Sequence, residues 1–127
     1  MHLFNLRVYY EDTDLAGIVY YANYLKFIER ARSEWVRDLG IDQAQMKAEG
    51  LVFAVRRVVA DYLLPARYDD LLCVETKLLP GSGARLVLQQ DVKRGDATLF
   101  SATVTIICMT TDGAMTRLPA AIRQATR

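Results

Sequence analysis

The chain has 127 residues, 52% of them hydrophobic and 24% charged, and its 16 Lys and Arg against 15 Asp and Glu give a formal net charge of +1. That length fits one domain over residues 1–127, which buries roughly two-thirds of its unfolded surface without needing staples. The near-balance of charge excludes a strong overall attraction to nucleic acid or a membrane surface. No apolar run approaches ~18 residues, and the start lacks the basic-then-apolar order of a signal peptide, so the chain reads as soluble and cytoplasmic with no integral membrane segment.

Residues 3–10 alternate, with Phe4, Leu6, Val8 and Tyr10 on one face and Asn5, Arg7 and Tyr9 on the other, which predicts a strand. The acidic turn Glu11-Asp12-Thr13-Asp14 and Gly17 follow. From about Ala22 to Leu39 the spacing becomes helical, with Tyr24, Ile28, Ala31, Trp35 and Leu39 at steps of three or four. Leu25, Phe27 and Val36 widen that apolar surface, and Lys26–Glu29 and Arg30–Glu34 stand at ion-pair spacing. So broad a surface predicts a helix enclosed by a sheet. Gly40 is a helix stop, and Asp42 to Glu49 predicts a short second helix capped by Asp42 and ended by Gly50.

Strands are predicted after that: Leu51 to Leu64, closed by Pro65; Leu71 to Leu79; Arg85 to Lys93, with Leu86, Leu88 and Val92 inward; and Thr98 to Met109, with Phe100, Ala102, Val104, Ile106 and Cys108 inward. Pro80-Gly81-Ser82-Gly83, Arg94-Gly95-Asp96 and Asp112-Gly113 are turns, and a short C-terminal piece runs to Leu118-Pro119. Short turns imply antiparallel neighbours. The class is α+β, one long helix wrapped by a five- or six-stranded antiparallel sheet. Such a sheet has open edges, so at least a homodimer is expected.

Few groups are available for chemistry. His2 is the only histidine and stands at a terminus, which argues against Ser-His-Asp, Cys-His and zinc arrangements; no metal site is expected. Cys73 and Cys108 sit in apolar strand-like runs and read as buried reduced thiols. Acid–base or nucleophilic work falls to Asp, Glu, Tyr or Lys. The acidic turn stands just before a helix N-terminus, where unpaired N–H groups project and the dipole is positive. A carboxylate facing such donors can attack a carbonyl, or activate water toward it, while the donors stabilise the developing charge. Read from the residues alone, Asp12 and Asp14 serve equally well as caps of the turn or helix.

The run Tyr9-Tyr10-Glu11-Asp12-Thr13-Asp14 through Gly17-Ile18-Val19-Tyr20, then Ala22-Asn23-Tyr24-Leu25, resembles the signature of hotdog-fold acyl-CoA thioesterases. The closest likeness is to the 4-hydroxybenzoyl-CoA thioesterase type and its Tol–Pal-associated, YbgC-like relatives. It continues through Phe27-Ile28-Glu29-Arg30-Ala31-Arg32 and Glu34-Trp35, and returns at Asp61-Tyr62, Pro65-Ala66-Arg67-Tyr68-Asp69-Asp70, Asp112-Gly113 and Arg117-Leu118-Pro119. The resemblance implies the hotdog fold and hydrolysis of an acyl-CoA, aliphatic or aromatic, with no cofactor; an acyl carrier protein in place of CoA stays open.

By resemblance, Asp14 is the catalytic carboxylate, acting as nucleophile or general base, and the backbone N–H of Tyr21 polarises the thioester carbonyl. Tyr21 stands where the Tol–Pal-associated relatives usually carry histidine, which removes an imidazole role and speaks against that branch. The resemblance also implies an active site at a dimer interface and pairing of dimers into a tetramer. Gly17 is expected to let the backbone turn past the substrate, and Ile18, Val19 and Tyr24 to line the acyl pocket. Among Arg56, Arg57, Arg85, Lys93 and Arg94, Arg57 is the favoured partner of the CoA phosphates. Two alternatives remain: a non-catalytic acyl-thioester binding or interaction module, and a hotdog hydratase or dehydratase, which would need a histidine for proton transfer.

Overall fold

The computed structural model describes residues 1–125. Strand β1 (His2–Arg7) half-buries its even-numbered side chains, and the chain then leaves the sheet for a 3-10 turn at Tyr10–Asp12. Val8 still points inward, but the turn swings Tyr10 out to 84% exposure, so the predicted inner face ends at Val8.

Helix α1 (Asn23–Asp38) buries Tyr24, Phe27, Ile28, Ala31 and Val36, with Trp35 and Leu39 packed at the margin. Leu25 lies outside that stripe and is 42% exposed. The ion pairs expected from spacing do not form among the described residues. Glu34 instead takes Arg37 at 2.9 Å, and Glu29 accepts from the Ser33 hydroxyl at 2.9 Å. Gly40, with φ at +83°, ends the helical run. Helix α2 (Gln43–Ala48) starts at Asp42, whose carboxylate accepts from the N–H groups of Ala44 and Gln45.

The strands β2 (Leu51–Tyr62), β3 (Leu71–Leu79), β4 (Arg85–Arg94) and β5 (Ala97–Thr110) join β1 in the antiparallel order β1-β3-β4-β5-β2, and β6 (Met115–Thr116) pairs with β5. Helix α1 crosses one face of this sheet against β1, β3 and β4. Period-two alternation supplies the facing layer: Leu72 and Val74 from β3, Leu86, Leu88 and Val92 from β4, Phe100, Ala102 and Val104 from β5, all buried. Gln90 is buried in the same layer at 0% exposure, an uncharged polar side chain among hydrocarbons.

Two features depart from the sequence reading. In β2 a bulge at Arg56 breaks the register between Val55 and Arg57, so odd positions face the helix before it and even positions after it. The C-terminal piece is longer than predicted, forming β6 and then helix α3 (Ala120–Ala125). Ile122 is the only buried residue of that helix, which left no periodicity to read. Both cysteines are free thiols; Cys108 is buried, while Cys73 is half-buried. No helix among the described residues is long and apolar enough to cross a membrane.

Candidate active site

The loop from Thr13 to Tyr21 folds back on itself before α1 begins. Thr13 and Val19 form an isolated antiparallel bridge, the Asp14 N–H donates to the Ile18 carbonyl at 2.9 Å, and the Gly17 N–H donates to the Asp14 carbonyl at 3.0 Å. Gly17 closes this turn at φ +78°, the left-handed region that side chains disfavour. The loop is also stitched to the segment after β2, through an Ile18–Arg67 bridge and the Val19 N–H on the Ala66 carbonyl at 2.8 Å. The Asp12 carbonyl accepts from both the Tyr20 N–H and the Asn23 side-chain amide, each at 2.9 Å, which fixes the approach to α1.

This folding separates the two aspartates. Asp12 turns its carboxylate to the Tyr9 N–H at 2.8 Å and caps the 3-10 turn. Asp14 accepts from the Ala16 N–H at 2.9 Å through Oδ1 only, and the residue borders a cavity of about 410 Å³. Ile18, Val19, Tyr21, Tyr24 and Tyr62 line the same cavity, with Leu63 to Pro65 closing it.

The N-terminus of α1 is left open beside this cavity. Its cap residue, Ala22, has no side-chain acceptor, and no acidic residue occupies the first turn. The contrast with α2, which Asp42 caps twice, is direct. Among the described residues no protein acceptor takes the Tyr21 N–H. Unpaired donors at a helix N-terminus favour an anion or a developing negative charge.

The aromatic wall is rigidly packed. Tyr24 stacks on Phe100 with ring centroids 5.0 Å apart and planes 9° from parallel, and its hydroxyl accepts from the Ala66 N–H at 3.1 Å. Tyr62 meets Tyr24 and Phe100 edge-on at 5.6 and 5.0 Å. Its hydroxyl donates to the Tyr21 carbonyl at 2.9 Å. Burial pushes the Tyr24 and Tyr62 phenols up from their ordinary value, which keeps both neutral. Behind the wall, Arg94 donates to the Pro65 carbonyl at 3.2 Å and to Asp70 at 2.8 Å, anchoring the segment after β2.

Asp14, Ile18, Val19, Tyr21 and Tyr24 are thus brought together, and Gly17 shapes the loop without lining the cavity. Arg57 is not brought there. Its register partner is Thr105, which puts it on the sheet face turned away from α1, whereas Tyr62 pairs with Phe100 on the helix side. Lys93 is engaged with Glu75 and Arg94 with Asp70, which leaves neither as a free phosphate partner. His2 is bonded to Asp38, the last residue of α1, at the end of the helix opposite Tyr21. No cluster of three His, Cys, Asp or Glu side chains suited to a metal exists among the described residues.

Tyr62, Leu63, Leu64 and Pro65 were absent from the site predicted from sequence. The signal for them was the pair Asp61-Tyr62 with Pro65 just after, a hydroxyl-bearing aromatic at the close of a long strand. In chemical terms a carboxylate-bearing residue, Asp14, and Tyr21, whose N–H has no protein acceptor among the described residues, line one largely apolar cavity.

Residues 8–126 match the family model described as the thioesterase-like superfamily. The chain belongs to that superfamily. The acyl-CoA thioesterase YbgC of Haemophilus influenzae is 43% identical over 84% of this chain and 79% of its own length. The acyl-CoA thioester hydrolase YbgC of Escherichia coli O6:H1 is 41% identical over 82% of this chain and 78% of its own length. A solved structure described as a probable thioesterase from Bartonella henselae superposes with a TM-score of 0.89 at 39% identity, covering 93% of this chain and 98% of the other. The thioesterase-like chain is therefore a thioester hydrolase with the hotdog architecture expected of it. Its likeness to the YbgC proteins spans most of the chain, so tyrosine at position 21 does not remove it from their company.

Proposed function

We propose that the protein hydrolyses acyl-CoA thioesters, aliphatic or aromatic, at the Asp14 cavity. One observation carries this reading: Asp14 and Tyr21, the residue just before the Ala22 cap of α1, line the same largely apolar cavity. The acyl group rests against Ile18, Val19 and Tyr24, and the thioester oxygen lies at the Tyr21 N–H. Asp14 then attacks the carbonyl to give an anhydride that water opens, or takes a proton from the attacking water. Either route breaks the C–S bond, adds the elements of water across it, and releases a carboxylic acid and the CoA thiol. One preorganised donor at the oxyanion contributes roughly 2.7–4 kcal/mol in comparable sites.

Strand β2 is a 12-residue sheet edge, and Val55, Val59 and Tyr62 on it are each about half exposed. Pairing of β2 with a second copy would cover that edge and bring a second protomer beside the Tyr62 end of the cavity. A homodimer, paired again into a tetramer, fits this edge. The two unpaired thiols fit a reducing, cytoplasmic compartment.

The test is Asp14→Asn, which keeps the Ala16 turn and removes the charge. A panel of acyl-CoAs with a thiol reagent should show wild-type release and a loss of roughly 10²–10⁴-fold in the variant. Because Asp14 also serves the turn through Oδ1, a purely structural role has a physical basis. Acyl-CoA binding without thiol release by the wild type would select that reading, a non-catalytic thioester binder.

A further inference from the structure

A second cavity, of about 170 Å³, lies under the C-terminal half of α1 and shares no lining residue with the Asp14 cavity. Its apolar walls come from Val36, Phe53, Leu86, Leu88 and Ile106, and its one cation is Arg32. Arg32 follows Tyr24 by eight residues, so it stands about 12 Å further along the helix axis.

Arg32 differs from the ion-paired cations. Arg7, Arg37, Lys93 and Arg94 each sit within ion-pair distance of a carboxylate. Arg32 is half-buried and, among the described residues, has no ion-pair partner; its Nη1 donates to Oε1 of Gln90 at 3.0 Å. Gln90 is itself fully buried and spends its amide on the Ile28 carbonyl and the Thr76 hydroxyl, both at 3.0 Å. The guanidinium is thereby engaged along one edge. It has five N–H donors in a fork, and Nε and Nη2 donate to no described protein atom. Neither is a buried orphan, and Arg32 is among the residues that line the cavity. Burial disfavours the charged guanidinium, with Glu29 giving a partial counterbalance from the rim. Glu29 is exposed, lines the same cavity and accepts from the Ser33 hydroxyl at 2.9 Å.

We propose that this cavity binds a small carboxylic acid whose apolar body is about the size of a six-membered ring, with its carboxylate paired to the open edge of Arg32. The size follows from the volume, since an apolar cavity of about 150 Å³ holds a benzene ring. The headgroup follows from the fork, because two parallel N–H donors match a carboxylate and an anion compensates a half-buried, unpaired cation. A free acid of this kind has the chemistry of a thioesterase product, but binding here does not depend on hydrolysis at Asp14.

Trp35 borders the cavity and is the only tryptophan in the chain, so its fluorescence reports occupancy. Cyclohexanecarboxylate should give a saturable change, and cyclohexanecarboxamide, of the same shape without charge, should bind roughly tenfold or more weakly. Arg32→Met should erase the preference for acid over amide, Arg32→Lys should keep part of it, and Asp14→Asn should leave the acid titration unchanged. Trp35 also borders a hollow near His2, and the Arg32 variants distinguish the two. Equal binding of acid and amide by the wild type overturns the proposal even if Arg32→Met fails to fold. So does a preference that survives Arg32→Met, or an acid titration that Asp14→Asn shifts. Thiol release from acyl-CoA is read separately, so failure of the hydrolase reading leaves this result interpretable.

Discussion

The Tyr62 hydroxyl reaches from the last residue of β2 to the Tyr21 carbonyl, 2.9 Å away, and ties the sheet edge to the start of α1. The peptide it grips adjoins the N–H assigned to the thioester oxygen. Tyr62→Phe keeps the ring contacts with Tyr24 and Phe100 and removes only this bond. Its loss should cost about 1 kcal/mol and lower kcat roughly fivefold. KM should move by less than about twofold, because the wall keeps its shape. Steady-state kinetics on the acyl-CoA that the panel identifies would check the split between the two constants.

Gly17 tests the loop from the other side. A Cβ there would meet nothing within 4 Å, so the constraint at φ +78° is backbone strain rather than crowding. Gly17→Ala should therefore cost about 1–2 kcal/mol and disturb the Asp14–Gly17 and Asp14–Ala16 bonds together. Gly17→Asn, which tolerates the left-handed region better, should recover part of both stability and activity. Thermal melts and thiol-release rates on the pair would show whether the two losses track one another.

The elements that stood out in the sequence were those with a strong local period. Helix α1 showed itself through Tyr24, Ile28, Ala31 and Trp35, and the strands through alternation such as Leu86, Leu88 and Val92. The acidic turn before a helix was a local feature, but singling out Asp14 and Tyr21 rested on the family resemblance, since the residues alone left Asp12 and Asp14 interchangeable. The face of Arg57 was not, since the bulge at Arg56 reverses which positions point inward and no residue type marks it. Tyr62 was missed because its bond spans 41 residues of chain. Gln90 interrupts its own apolar stripe, and only the tertiary partners Arg32, Ile28 and Thr76 make that burial tolerable.

Asp70 links the site's rear wall to pH. Burial raises its carboxyl, but the Arg67 N–H and the Arg94 guanidinium outweigh that and hold it below the usual carboxylate value. A carboxyl with a lowered folded-state pKa contributes stability above its unfolded pKa and loses it as pH falls through the folded one. Asp70→Asn should thus cost about 1 kcal/mol at neutral pH, a modest figure because the pair is partly screened. The gap between the wild-type and variant melting temperatures should stay constant down to ordinary carboxylate titration. It should then close as the medium becomes more acidic than the folded-state value. A gap independent of pH would mean that the pairing with Arg94 contributes nothing measurable.

Gln90 offers the sharpest test of how α1 is seated. Its side chain joins Arg32 and the Ile28 carbonyl on the helix to Thr76 on β3, at 3.0 Å in each case. Gln90→Leu preserves most of the volume but strips the half-buried guanidinium of its one protein acceptor among the described residues, so a loss of about 3 kcal/mol is expected. Arg32→Met alone leaves Gln90 without its donor but removes the costly charge, and should lose less. Combining the two leaves no stranded cation, so the double variant should be more stable than the sum of the single losses implies, by roughly 1–2 kcal/mol. Urea denaturation of the four proteins closes the cycle. Additive losses would mean that Arg32 finds enough solvent in its cavity to do without Gln90.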